Sequence, residues 1–110
     1  MTPDSVPSVP AATVPEDAVL LDVREDDEWT AGHAPQAVHV PMGEVPQRIG
    51  EIPDEGIVHV ICRSGGRSAR VTAYLNQGGR QAVNVDGGMH AWAAAGRPMA
   101  AGSGRPPQVI

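Results

Sequence analysis

Short aliphatic runs recur along the chain, and each is followed by a stretch with the spacing of a helix. The runs cover residues 19–23, 37–40, 57–61 and 82–85, and the helical patterns cover 25–31, 44–50, 67–77 and 89–95. Short runs that do not alternate with polar residues are typical of strands covered on both faces, as in a parallel sheet between helices. The order of the segments therefore predicts an α/β fold.

Composition limits the size of the fold and the class of partner. The 110 residues suffice for one domain with one core. Because 41% of residues are hydrophobic but only 3% are aromatic, aliphatic side chains are expected to fill that core. All eight basic residues are arginines and the formal net charge is -5, which argues against nucleic acid or an anionic membrane surface as a partner.

Cys62 is the only cysteine, and this restricts the redox chemistry and the metal sites that are available. A lone cysteine forms no internal disulfide, no Cys-x-x-Cys pair and no four-thiolate metal site. The first eighteen residues contain four prolines and no Lys or Arg, which is not the pattern of a signal peptide. We therefore expect a cytoplasmic protein that contacts no membrane and uses no metal or cofactor.

Proline and glycine positions suggest where the folded unit begins and ends. Four prolines fall within residues 1–15, and Gly96 and Pro98 follow the last helical pattern, where they would end it. Residues 99–110 are mostly small, polar or proline. We expect a proline-rich arm over 1–15, a folded domain over 16–98 and a flexible tail over 99–110.

The segment after the third aliphatic run has the composition of a thiolate site. It reads Cys62-Arg63-Ser64-Gly65-Gly66-Arg67-Ser68. A strand that delivers a sulfur to a tight turn before a helix lets the backbone N–H groups of residues 63–68 converge on that sulfur, which binds anions and lowers a thiol pKa. Gly65 and Gly66 would permit the tight curvature. A buried structural thiol is the alternative, but glycines and arginines without any apolar residue do not suit core packing.

Several short motifs occur in an order that resembles a known family. They are Leu21-Asp22-Val23-Arg24, Glu28-Trp29-x-x-Gly32-His33, Val40-Pro41, the cysteine segment 62–68, and Asp86-Gly87-Gly88-x-x-Ala91-Trp92. Together they resemble the signatures of a single-domain rhodanese, over about residues 19–98. The resemblance implies an α/β fold with a five-stranded parallel sheet flanked by helices on both faces, and a cysteine loop at the carboxyl end of a strand.

The resemblance also implies sulfurtransferase activity. The Cys62 thiolate would take a sulfane sulfur from thiosulfate or a related donor, hold it as a persulfide, and pass it to cyanide, a thiol or a sulfur-relay protein. Arg63 and Arg67 are the candidates for donor binding, together with the rest of the loop. Asp22 and Arg24 would lie beneath the loop in a supporting role. Because the chain has no second cysteine, the sulfur must leave on an external acceptor.

Two other functions remain open. The domain could be a non-enzymatic persulfide carrier or redox-sensing module that loads the same thiol. It could also be a phosphatase-type anion binder, although the resemblance associates phosphatases with a Cys-x5-Arg loop and this chain has Cys-x4-Arg between Cys62 and Arg67.

Two further features have an ordinary structural interpretation. The acidic run 25–28 is expected to be the solvated first turn of a helix, where carboxylates complement the helix dipole. Trp29 and Trp92 are expected to pack helices against the sheet.

Overall fold

A computed structural model describes residues 6–110 and shows five strands and three helices within them. These are β1 (Ser8–Pro10), β2 (Val19–Asp22), α1 (Asp26–Ala31), β3 (Val38–His39), β4 (Val58–Ile61), α2 (Gly66–Gln77), β5 (Ala82–Asp86) and α3 (Gly88–Ala94). The strands form one parallel sheet in the order β1-β5-β4-β2-β3. The prediction of an α/β fold with a five-stranded parallel sheet is confirmed.

Successive residues of the inner strands pack on opposite faces of the sheet, so that each face has its own apolar cluster. Leu21 lies in the cluster that includes Leu75 of α2. Its neighbour Leu20 lies in the other cluster, with Trp92 of α3. Side chains alternate in this way because the side-chain period of a strand is two residues. Burial of a leucine side chain stabilises the fold by roughly 2 kcal/mol, so both faces need a helical cover.

Residues 8–14 of the amino-terminal segment pack on the sheet, where an arm was expected over residues 1–15. β1 pairs with β5 and forms one edge of the sheet, and Ala11 and Val14 are buried in the cluster of Trp92. Proline is compatible with this position because its fixed φ suits extended backbone and an edge strand has free N–H positions. Residues 1–5 of the expected arm lie outside the described residues.

The carboxyl-terminal segment, for which a flexible tail was expected over 99–110, also contacts the domain. Ala100 and His33 exchange two backbone hydrogen bonds, of 2.8 and 2.9 Å. Further along, the N–H of Gln108 donates to the carbonyl of Ala31 at 2.9 Å. These hydrogen bonds use backbone atoms of the tail, which its residue types do not reveal, and the side chains of Met99 and Val109 pack against the cluster of Trp92.

The helix expected over 44–50 is absent. The segment instead contains two short 3-10 turns, Met42–Glu44 and Ile49–Glu51. Pro46 lies between them and has no N–H to donate to a continuous helix. No helix within residues 6–110 has the length and apolar character needed to cross a membrane.

Candidate active site

Cys62 lies at the carboxyl end of β4, directly before a tight turn that leads into α2. The turn depends on Gly65, whose φ of +115° lies in the left-handed region that other residues rarely adopt. Gly66 is already the first residue of α2, and a Cβ there would meet nothing within 4 Å. Only one of the two glycines is therefore required by the backbone.

The sulfur of Cys62 is buried and accepts hydrogen bonds from two neutral donors. The Gly65 N–H lies 3.1 Å from Sγ, and the Ser68 hydroxyl lies 3.2 Å from it. Burial raises the pKa of the thiol, but the hydrogen bonds from the Ser68 hydroxyl and from the N–H groups of Ser68, Gly65 and Ser64 together outweigh that effect. The net result is a pKa below the ordinary value, as the sequence predicted for this turn.

Ser68 has one hydroxyl hydrogen and three acceptors within reach. They are Cys62 Sγ at 3.2 Å, the Gly65 carbonyl at 3.2 Å and Asn84 Oδ1 at 2.5 Å. A half-turn of the Asn84 amide would present its NH₂ to Ser68 and leave the hydroxyl hydrogen for the sulfur. Asn84 is a buried residue of β5 that the sequence analysis missed, because only the parallel register of β5 with β4 brings it near the loop.

The start of α3 holds the backbone of the cysteine loop. The Met89 N–H donates to the Cys62 carbonyl at 2.8 Å, and the His90 N–H donates to the Arg63 carbonyl at 3.1 Å. A Cβ at Gly88 would lie 2.4 Å from the Cys62 carbonyl oxygen, so no other residue fits there without movement. Since these two carbonyls are turned toward α3, the following N–H groups are free to face the sulfur.

Arg67 does not extend freely over the sulfur. Its two terminal nitrogens donate to the two carboxylate oxygens of Glu28 at 2.7 and 2.8 Å. The hydrogen bonds from Arg67 hold the pKa of the Glu28 carboxyl below its ordinary value, and the same bonds raise the pKa of Arg67. Glu28 is therefore an ion-pair partner of the loop, and the expectation that the whole run 25–28 is solvated is wrong at this residue.

Arg63 and Ser64 lie on the outer side of the loop. Both are exposed, and the Nε–H of Arg63 donates to the Ile110 carbonyl at 2.9 Å. The Ser64 side chain makes no hydrogen bond within residues 6–110, and its contribution to the site is its backbone N–H. Donor binding by these two residues stays a prediction.

Asp22 and Arg24 form a buried ion pair beside the loop. Arg24 donates from Nε to Oδ1 at 3.0 Å and from Nη2 to Oδ2 at 2.8 Å, and both side chains are fully buried. Nη2 of Arg24 also donates to the Gly32 carbonyl at 2.7 Å, which joins the end of β2 to the end of α1. In the sheet Asp22 pairs with Ile61, the residue before Cys62. The pair thus lies next to the end of β4, and its supporting role for the loop stays a prediction.

The two tryptophans differ in their environment. Trp92 is completely buried beneath α3, as expected. Trp29 is only partly buried, and its ring stacks on the rings of His33 and His39, with ring centroids 3.6 and 4.7 Å away. Within residues 6–110, His, Cys, Asp and Glu form no group of three that could hold a metal ion.

Known protein families include one that matches most of this chain. The family model described as a rhodanese-like domain matches residues 11–95. The chain belongs to the rhodanese-like domain family. Its rhodanese-like sheet resembles that of a solved rhodanese-related protein from Thermoplasma volcanium, with a TM-score of 0.79, 31% identity, and coverage of 86% of this chain and 97% of the other.

Two relatives in Bacillus subtilis (strain 168) carry names that concern sulfur. YtwF, provisionally named a sulfurtransferase, is 45% identical over 83 residues, which are 76% of this rhodanese-like chain and 81% of YtwF. YrkF, provisionally named a sulfur carrier protein, is 39% identical over 74 residues, 66% of this chain. The chain spans only 40% of the length of YrkF.

Proposed function

We propose that this rhodanese-like domain is a sulfurtransferase that carries a sulfane sulfur on Cys62, from thiosulfate or a related donor to cyanide or a thiol. The observation that carries the proposal is the pair of hydrogen bonds to Cys62 Sγ from the Gly65 N–H and the Ser68 hydroxyl. These donors stabilise a thiolate before transfer and would stabilise the negative charge of a persulfide after it. The sulfurtransferase name of YtwF supports the same function.

Loading of sulfur on Cys62 and its release to the acceptor are both nucleophilic displacements that need no cofactor. The Cys62 thiolate attacks the outer sulfur of thiosulfate, a new S–S bond forms, and the bond to sulfite breaks with its electron pair leaving on sulfite. A nucleophilic acceptor then attacks the outer sulfur of the persulfide and regenerates the thiolate. The same loop donors serve both steps because the negative charge returns to sulfur each time. A reducing compartment such as the cytoplasm would keep the lone thiol available.

A persulfide carrier is the second candidate, and the name of YrkF favours it. A carrier would load Cys62 in the same way but release the sulfur only to a particular relay protein. The single cysteine suits both candidates, since each needs an outside acceptor. A phosphatase-type role is less well supported, because Arg67, the arginine that would hold a phosphoryl group, is bonded to Glu28.

Intact mass and thiocyanate release test the proposal. The wild type and Cys62→Ala would be incubated with thiosulfate, weighed by mass spectrometry, and then treated with cyanide. We expect the wild type alone to gain one sulfur atom and to discharge it repeatedly as thiocyanate. A gain that cyanide does not discharge would indicate the carrier. If neither thiosulfate, a thiosulfonate nor an organic persulfide adds sulfur to Cys62, the proposal is wrong.

A further inference from the structure

The ion pair of Glu28 and Arg67 lies at the start of α2, next to a residue that contacts the sulfur, and plays no part in the transfer steps described above. Arg67 belongs to the first turn of α2 and directly precedes Ser68, whose hydroxyl is bonded to the sulfur. The Glu28 carboxylate and, to a smaller extent, the Cys62 thiolate raise the pKa of Arg67. A negative charge at Glu28 therefore acts on the same small region in which a donor must bind.

Glu28 is held firmly in this position. Its Oε1 accepts a hydrogen bond from the Glu25 N–H at 3.1 Å, which forms a capping box at the start of α1. Both carboxylate oxygens also accept from Arg67, and the side chain is only 13% exposed. A bidentate and partly buried pair of this kind keeps its geometry better than a fully exposed ion pair.

Two of the four arginines in or near the loop are paired with carboxylates. Arg67 is paired with Glu28, and Arg24 is paired with Asp22. The other two, Arg63 and Arg70, are exposed and have no side-chain carboxylate partner within the described part of the chain, and Arg63 donates to the Ile110 oxygen instead. The donors that face the sulfur itself are neutral N–H groups and a hydroxyl. Such a site suits a sulfur that carries one negative charge better than a dianion.

We propose that Glu28 is a specificity-determining residue that favours sulfur donors with a single negative charge over dianionic thiosulfate. The inference rests on the proposed sulfurtransferase function. Thiosulfate would bring a charged sulfonate group to a region where Glu28 already occupies Arg67. A thiosulfonate, RSO₂S⁻, or an organic persulfide, RSS⁻, has one charge, located mainly on sulfur, which the N–H groups of the loop accept.

Methanethiosulfonate and thiosulfate form a matched pair of probes. With thiosulfate, the thiolate takes the outer sulfur and sulfite leaves with the electron pair of the broken S–S bond. With methanethiosulfonate, the thiolate takes the corresponding sulfur and methanesulfinate leaves in the same way. The two reactions therefore form the same persulfide and differ by one unit of charge on the donor.

The experiment measures kcat/KM for both donors, with cyanide as acceptor, in the wild type and Glu28→Gln. We expect the ratio of thiosulfate to methanethiosulfonate to rise on the order of tenfold in the variant, because one nearby negative charge is removed. The increase should become smaller at high ionic strength. Glutamine can still accept the Glu25 N–H, and the ratio is independent of the fraction of folded protein.

Two variants serve as controls. Glu28→Asp keeps the charge, so its ratio should stay near that of the wild type. Glu51→Gln removes a carboxylate from a similar bidentate pair with Arg48, which makes no hydrogen bond to the loop 62–68 among the described residues. Its ratio should also be unchanged, whereas a rise equal to that of Glu28→Gln would mean that net charge alone is responsible and would overturn the inference.

The failure of this inference is distinct from the failure of the proposed function. If intact mass shows that both donors load sulfur on Cys62 but the ratio in Glu28→Gln equals that of the wild type, Glu28 does not determine specificity. If neither donor loads sulfur on the wild type, both the sulfurtransferase proposal and the inference are overturned.

Discussion

At Cys62 two physical effects act on the thiol in opposite directions. Burial in the apolar cluster beneath α2 disfavours the thiolate, whereas the hydroxyl and N–H groups of the loop favour it. These neutral donors cause the lowered pKa of Cys62. Only one of them, the Ser68 hydroxyl, belongs to a side chain, so a substitution can remove it without disturbing the backbone. The two arginines that were candidates for donor binding donate to other groups, Arg67 to Glu28 and Arg63 to Ile110.

Replacement of Ser68 by alanine should raise the pKa of Cys62. A hydrogen bond to a charged group contributes roughly 1.5–3 kcal/mol, so at a pH below the wild-type pKa alkylation by iodoacetamide should slow about tenfold or more. The direction follows from the lowered pKa: the wild-type thiolate persists as the pH falls below the ordinary thiol range, and the pH profile of Ser68→Ala should move to higher pH.

Ser64→Ala is the matched control for that measurement. The Ser64 side chain is exposed and makes no hydrogen bond within residues 6–110, so its alkylation profile should coincide with that of the wild type. Equal profiles for Ser68→Ala and the wild type would show that the Ser68 hydroxyl does not stabilise the thiolate.

Among the secondary-structure elements, α3 acts as the support of the cysteine loop. Its first N–H groups hold the carbonyls of Cys62 and Arg63, and the loop backbone passes directly over Gly88. This contact gives a physical reason for the Gly87-Gly88 pair. Gly87 has a φ of +77° and Gly88 a φ of +55°, and a side chain at Gly88 would also strike the Cys62 carbonyl.

Gly88→Ala should be much more destabilising than Gly96→Ala. Both residues have positive φ, which costs an alanine roughly 1–2 kcal/mol, but a Cβ at Gly96 would meet nothing within 4 Å. We expect Gly96→Ala to lose about 1 kcal/mol of unfolding free energy, and Gly88→Ala to lose about 3 kcal/mol or more together with sulfur transfer. Denaturant unfolding measures the difference, and equal losses would contradict the close packing of loop and α3.

In the whole molecule, both chain ends make more contacts with the folded domain than their composition suggests. β1 completes the sheet beside β5, and residues 100–108 bond to the end of α1 through their backbone. Gly32 allows the tail to contact the end of α1, because a Cβ at this position would lie 2.4 Å from the Gln108 carbonyl oxygen. The φ of Gly32 is 174°, which is extended backbone open to any residue, so only the tail requires glycine at this position.

Gly32→Ala should therefore displace the tail without straining α1. We expect faster hydrogen exchange at the N–H groups of Gly102 and Gln108, and a loss of about 1–2 kcal/mol in unfolding free energy. In a chain that ends at residue 98, Gly32→Ala should hardly change the unfolding free energy, since Gln108 and Met99, which the new Cβ would strike, are then missing. An equal loss in both chains would mean that Gly32 is required for a reason other than the tail.

The sequence by itself determined the features that depend on neighbouring residues. The aliphatic runs indicated strands covered on both faces, because a strand that is buried on both faces needs apolar side chains at successive positions. The consecutive residues 62–68 indicated a thiolate loop, because the N–H groups that surround the sulfur belong to the same turn. The edge strand β1 was missed from the residues alone, since its prolines are equally compatible with an unattached arm.

The tertiary structure alone decided the contacts between distant segments. Glu28 and Arg67 are 39 residues apart, and Ser68 and Asn84 are 16 apart, so no local spacing could pair them. The hydrogen bonds that the tail makes to the domain use its backbone atoms, which every residue type has. The charge that surrounds the sulfur therefore depends on how α1, α2 and β5 are placed around β4, because electrostatic and hydrogen-bond energies depend on distance in space and not on separation along the chain.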